Sequence, residues 1–243
     1  VYLRQEKMIF QPDHLPRSFT FNFQGEFREL YYEVAPNILL HAILFKIENP
    51  KGLLLYFHGN AGSLSSWGQW AAVFQKEGFD VLMYDYRGYG KSGGKIRNES
   101  SIHSDAEFIY HRIIQKYEGK RIVFYGRSLG TGIATKLAAK YTPEQLILTT
   151  PYFNFKEVVR FHYPYLPADT ILKYRFRTDK YIVEVKCPVE LFHGTQDELV
   201  PYENSLKLAK LGNHIHLTTL EGGMHGDLNS FPEFRRRLKE LLD

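Results

Sequence analysis

The sequence predicts a single α/β domain: a mostly parallel central sheet with helices on both faces and a small helical cap over residues 151–186. Two observations carry the sheet. Short apolar runs alternate with helical patterns along most of the chain. Several runs are apolar throughout, as strands covered on both faces are. A third observation carries the cap, because the alternation breaks after Pro151 and resumes only past Lys186. The chain has 243 residues, of which 44% are hydrophobic, enough for one sizeable core.

Phe27 to Val34 and Ile38 to Phe45 alternate in polarity and flank Ala35-Pro36-Asn37, a turn signal, so they predict an antiparallel opening pair. Leu53 to Phe57 reads as a buried strand. Trp67 to Lys76 has helical spacing, with Gly78 as its stop. Val81 to Tyr84 is the next strand. Glu99 to Tyr117 predicts a long helix with Ile102, Ala106, Ile109, Ile113 and Tyr117 on one side. Ile122 to Tyr125 and Leu146 to Thr149 are strands, with a helix from Thr131 to Ala139 between them. Val189 to Phe192 and His214 to Leu220 continue the pattern, and Phe231 to Leu242 predicts a terminal helix. Right-handed crossovers would gather the loops after the parallel strands on one edge, where such sheets bind ligands.

Gly126-Arg127-Ser128-Leu129-Gly130 lies between a strand and a helix. A serine centred in G-x-S-x-G in that context is a nucleophile elbow. The turn is sharp, a Cβ at either glycine would collide with a neighbouring element, and Ser128 Oγ is pushed into the open. A serine nucleophile needs a base, and the base needs an orienting carboxylate. Asp197 follows the strand ending at Phe192, and His225 follows the strand ending at Leu220. Glu198 competes with Asp197, which is nearer the strand end. His58-Gly59-Asn60-Ala61-Gly62 can supply an oxyanion N–H from Asn60, with Ala61 as the rival, to complement that of Leu129. His58 itself precedes the serine and reads as a structural loop residue.

Other patterns point to bland roles. Gly88, Gly90 and Gly93 satisfy G-x-G-x-x-G, but Gly94 to Asn98 intervene before the helix, against dinucleotide binding. Gly90-Lys91-Ser92 lacks the first glycine of a phosphate loop, since Asp85 stands there. His214 and His216 are expected to share one strand face, as residues i and i+2 do, but no third metal ligand is evident beside them. Arg235-Arg236-Arg237 reads as a solvated helix face, and the net charge of +4 gives no nucleic-acid signal. Cys187 is the only cysteine, which excludes an intramolecular disulfide and a cysteine metal cluster. It fits a reducing compartment and reads as a small buried residue. No stretch approaches the roughly 18 apolar residues of a membrane span. Val1 to Glu6 has the character of an exit from an upstream apolar helix, or equally of a frayed terminus. Membrane association would require a segment upstream of Val1, leaving a cytoplasmic or a membrane-anchored location open.

These motifs resemble the α/β-hydrolase superfamily, and within it the small abhydrolase-domain serine hydrolases, which include lysophospholipase-like and protein-depalmitoylating members. The resemblance rests on His58 to Gly62, Asp85-Tyr86-Arg87-Gly88-Tyr89-Gly90-Lys91-Ser92, Gly126 to Gly130, His193-Gly194-Thr195-Gln196-Asp197 with Val200-Pro201, and Gly223-Met224-His225. It spans roughly Leu30 to the C-terminus. It implies an α/β-hydrolase fold and a cofactor-free, metal-free serine hydrolase acting on a small-molecule or lipid-like ester or thioester of an apolar acyl group. An acyltransferase with the same triad, and a non-catalytic binding module on this scaffold, are the other readings. The aromatic-rich segment 151–186 is expected to roof the Ser128 pocket, with Phe161 and Tyr165 touching the acyl chain and selectivity peaking at short to medium chains.

Overall fold

A computed structural model describes residues 5–243. Its central sheet has eight strands: β1 (Glu26–Ala35), β2 (Ile38–Lys46), β3 (Gly52–Phe57), β4 (Phe79–Tyr84), β5 (Arg121–Arg127), β6 (Gln145–Thr149), β7 (Val189–Gly194) and β8 (Ile215–Leu220). Their spatial order is β8-β7-β6-β5-β3-β4-β2-β1. The opening pair is antiparallel, β2 runs antiparallel to β4, and β3 to β8 are mutually parallel. The chain therefore reverses its lateral direction around β3, and the loops after the parallel strands share one edge.

The buried strands divide their side chains by alternation. Leu53, Leu55, Phe57, Phe124, Leu146 and Leu148 face one layer, where α4 (Glu99–Ile114) and α5 (Leu129–Lys140) pack. Leu54, Tyr56, Val123, Tyr125 and Ile147 face the other, against α3 (Ala71–Gln75) and α10 (Pro232–Leu242). The expected helix from Trp67 is broken: α2 (Leu64–Trp67) and a 3-10 turn (Gly68–Trp70) precede α3. Phe23 lies against Gly68 so closely that a Cβ there would sit 2.3 Å from its ring. The long helix likewise ends in a 3-10 turn at Gln115–Tyr117.

A short helix, α1 (Gln5–Ile9), lies at the start of the described residues. The reading of the chain start falls partly on Val1 to Arg4, outside them. Gln5 joins α1 to the segment beyond β6, donating to the Ile171 carbonyl and accepting from Lys173 N–H. That segment carries α6 (Phe155–His162), α7 (Ala168–Ile171) and α8 (Thr178–Tyr181). Asn154 starts α6 by accepting from Glu157 N–H at 3.1 Å. The last crossover carries α9 (Glu203–Ala209). No helix among the described residues is long and apolar enough to cross a membrane.

The loop after β4 folds onto itself. Gly88 N–H donates to Gly93 O, Ser92 Oγ donates to Asp85 O, and Lys91 Nζ lies 2.7 Å from Glu29. Arg87 makes a two-pronged pair with Asp105, and α4 starts only at Glu99. The glycine pattern thus builds a closed turn that opens no helix of its own, and the one helix N-terminus beside it, that of α2, is taken by Asp85, which accepts from Leu64 N–H at 3.0 Å. Arg237 departs from the expected solvated face. It reaches inward to buried Glu190 at 2.8 Å, whose other oxygen takes His216 and Thr218. His214 precedes β8, so the two histidines do not share its face. Cys187 is buried, and burial pushes its thiol up to about 11.

The crossing at the elbow leaves no space. A Cβ on Gly130 would lie 2.0 Å from the Phe57 carbonyl oxygen, and one on Gly126 would lie 2.7 Å from the Gly130 carbonyl oxygen. Gly130→Ala should lower the melting temperature by roughly 5–10 °C, because backbone must move to admit the methyl. Gly226→Ala, where a Cβ meets nothing within 4 Å, should leave it unchanged in the same thermal melt.

Candidate active site

Ser128 sits between β5 and α5 with φ 50° and ψ −117°. A non-glycine residue in this region is strained, and the surroundings must hold it there. Here they do: Ser128 N–H donates to Thr149 O on β6, and its carbonyl accepts from Thr131 N–H at 2.9 Å. Helix α5 starts at Leu129, whose N–H, as the first of the helix, has no partner within the helix.

His225 reaches Ser128 from the loop after β8. Its Nε2 lies 3.0 Å from Ser128 Oγ, and its Nδ1 lies 2.8 Å from Asp197 Oδ2. Asp197 stands in the loop after β7 and is buried, while its neighbour Glu198 is exposed. The other Asp197 oxygen accepts from the N–H groups of Leu199 and Val200 at 2.9 and 2.8 Å. Burial alone would raise the Asp197 carboxyl. Hydrogen bonds from His193 and His225, the charge of His225 and the Val200 N–H outweigh it and hold the carboxyl well below its usual range. The structure thus brings Ser128, Asp197 and His225 together in the expected order. Sequence reasoning missed His193, which is fully buried with Nε2 3.2 Å from Asp197 Oδ2 and 2.8 Å from the Val200 carbonyl.

The loop after β3 passes beside the serine. A Cβ on Gly59 would lie 3.7 Å from Ser128 Cβ and 2.9 Å from the Trp67 indole. Asn60 uses both ends of its side chain to fix this loop: its amide donates to the Ile9 carbonyl and its oxygen accepts from Tyr89 OH. What Asn60 offers the cavity is therefore main chain. His58 is buried behind the loop, Nδ1 donating to Gly59 O at 2.7 Å, away from the serine.

These groups open on a cavity of about 540 Å³, within the usual range for small-molecule sites. Gly59, Asn60, Ala61, Ser128, Leu129 and His225 line its floor. The walls are mostly apolar. Phe155, Val158, Val159 and His162 come from α6, spaced i, i+3, i+4 and i+7, so one helix face turns inward. Leu166, Ile171 and Leu172 follow, and α1 adds Met8 and Ile9. The expectation for Phe161 and Tyr165 is corrected. They lie off the inward stripe, 53% and 98% exposed, and neither lines the cavity. Tyr152 and Tyr163 do line it, while Tyr174 and Phe176 fill the core. Among the described residues no group of three His, Cys, Asp or Glu is placed to hold a metal ion.

The chain matches the family model described as "Serine aminopeptidase, S33" over residues 48–178, more than half of its length. That stretch includes Ser128 but not Asp197 or His225. Among curated relatives, the lysophosphatidylserine lipase ABHD12 of Danio rerio is 35% identical over 65% of this chain, which spans about half of that protein, 47%. The α/β hydrolase domain-containing protein 17B of Homo sapiens is 30% identical, covering 80% of this chain and 67% of that one. The Pyrococcus furiosus esterase Pf2001 has the same fold, with TM-score 0.76 at 20% identity over 96% of this chain and 97% of that one. The chain belongs to the α/β-hydrolase superfamily, within the serine hydrolases that this family model describes.

Proposed function

We propose that this chain is a serine hydrolase that cleaves esters or thioesters of apolar acyl groups through an acyl-enzyme on Ser128. The observation that carries the reading is the relay of 3.0 and 2.8 Å from Ser128 through His225 to buried Asp197, opening on an apolar cavity. The name of the zebrafish relative, a lipase, supports a lipid-like substrate.

Ser128 Oγ attacks the acyl carbonyl carbon as His225 Nε2 takes its proton. The carbonyl electron pair moves onto oxygen, where the N–H groups of Leu129 and Asn60 receive it. Collapse of this intermediate breaks the bond to the alcohol or thiol, which leaves with the proton from His225. Water then attacks the acyl-enzyme, again giving its proton to His225, and the acid departs as Ser128 regains its hydrogen. Asp197 keeps Nδ1 as the protonated nitrogen and stabilises the imidazolium. Its carboxyl is held low enough to stay ionised throughout. The segment 151–186 acts as a cap within the single domain, and α1 completes the acyl wall.

Two experiments test this. A fluorophosphonate probe should label one residue, and Ser128→Ala should abolish both labelling and hydrolysis while the protein stays folded. In the same assay Asp197→Asn should lower kcat by about 10⁴, through the wrong imidazole tautomer, while exposed Glu198→Gln changes little. Labelling that persists on another serine, or the reverse ranking of the two acids, would overturn the assignment.

The second is a chain-length series of p-nitrophenyl esters. From acetyl to medium chains kcat/KM should rise, by at most about fourfold per CH₂, since each buried CH₂ is worth about 0.8 kcal/mol. Leu166→Ala or Ile171→Ala should flatten the rise and spare the acetyl ester. Phe161→Ala should do neither. Equal losses on all esters in the first two variants would mean that these side chains serve the core and not the acyl chain.

A further inference from the structure

Arg127 ends β5, one residue before Ser128, and is 5% exposed. No ion pair with a carboxylate is present for it among the described residues. Its guanidinium carbon lies 5.6 Å from the ring centre of Trp67 and 5.4 Å from that of Trp70. Nη2 donates to the main-chain carbonyls of His225 at 3.3 Å and Gly226 at 3.1 Å. Nη1 is buried with no acceptor. Burying a cation without a carboxylate is costly, and indole faces and two charged hydrogen bonds offset part of that cost. An apolar side chain would fill the same space without the penalty. The guanidinium also interacts with the Tyr56 hydroxyl on β3, and its pair of bonds to the loop that carries His225 is what ties that loop to the elbow.

We propose that Arg127 is a positioning residue: clamped between Trp67 and Trp70, it ties the His225 loop to the nucleophile elbow and so sets the imidazole against Ser128. This rests on the Ser128–His225–Asp197 reading above. The loop has other ties, Gln196 N–H to Gly223 O and Met224 N–H to Asp227, but these flank His225. The Arg127 bonds fall on the carbonyls of His225 and of Gly226 next to it, and come from the neighbour of the nucleophile. Trp67 extends the clamp to the third arm of the site. Its indole fills the space over Gly59, and its Nε1 donates to Ala61 O at 2.7 Å. One guanidinium with its indoles therefore contacts the elbow, the base loop and the oxyanion loop. Trp67 and Arg127 also line the cavity beside His225 and Gly226, but its apolar acyl walls come from α1, α6 and the residues up to Leu172, so the clamp is placed at the catalytic end, where it acts on geometry more than on acyl binding.

Arg127→Ala should lower kcat about 10- to 100-fold with KM within about twofold, the signature of a misplaced catalytic group. Millimolar guanidinium should restore part of kcat in this variant and none in Ser128→Ala. The chain has 2 tryptophans, both against Arg127, so their emission should shift in Arg127→Ala. Arg127→Lys keeps charge and stem but loses the planar fork, and should fold with an intermediate kcat. A readout independent of turnover is the downfield proton resonance of the His225–Asp197 hydrogen bond, identified by its loss in Asp197→Asn. The clamp requires it to shift or broaden in Arg127→Ala and Arg127→Lys. Variants with a lower melting temperature but unchanged kcat and resonance would make Arg127 merely structural, and a raised KM at constant kcat would make it a substrate contact; either overturns the proposal. A chain that hydrolyses no ester overturns the hydrolase reading instead, and the resonance still decides the clamp.

Discussion

The site depends on one steric constraint: α5 must begin with only Ser128 between it and the end of β5, hard against the neighbouring strand β3. Satisfying it forces Ser128 into a left-handed backbone conformation and leaves no space for a Cβ on Gly126 or Gly130. Such a conformation costs on the order of 1–3 kcal/mol and persists only where the surroundings over-determine it. Here the sheet does so through Thr149, and the helix does so through Thr131. The same close approach sets Gly130 against the Phe57 carbonyl, and the residues after Phe57 form the loop beside the serine. Strain at the elbow and the placement of the loop after β3 are two results of one packing contact.

The electrostatics follow from where the parallel strands end. Loops after β7 and β8 meet above the elbow, so a carboxylate and an imidazole from distant parts of the chain become neighbours. Asp197 is buried, which by itself favours the neutral acid. Two imidazoles and two backbone N–H groups reverse this. His193 accounts for part of the reversal, and Ser205 Oγ and the Val200 carbonyl anchor its two ring nitrogens. The acid is thereby fixed in both charge and orientation before any substrate arrives.

Much of this was legible in the residues. Uniformly apolar runs such as Leu53 to Phe57 could only be doubly covered strands, and the expected strand bounds fall within one or two residues of those observed. Ser128, Asp197 and His225 stood out because each follows a strand in a parallel sheet. Other features depend on contacts between distant segments, which local pattern does not encode. The role of α1 in the cavity wall rests on Gln5 meeting Ile171 and Lys173, far along the chain. Glu190, inside an apolar strand, gave no sign of its partners His216 and Arg237. Aromatic density in 151–186 pointed to the cavity wall but not to its members: Tyr152, Phe155 and Tyr163 line it and Phe161 and Tyr165 do not, because within α6 helical phase and not residue type decides which side chains turn inward. Phe155 and Phe161 lie in one helix and differ only in that phase.

The central claim is that Ser128 carries the acyl group between two half-reactions. The most direct test is to quench the protein in acid during turnover of p-nitrophenyl butyrate and map the mass of its peptides. The account predicts one butyryl group, located on Ser128 and absent from Ser128→Ala. A butyryl group on any other residue, or steady hydrolysis with no adduct while Ser128→Ala remains active, would contradict it.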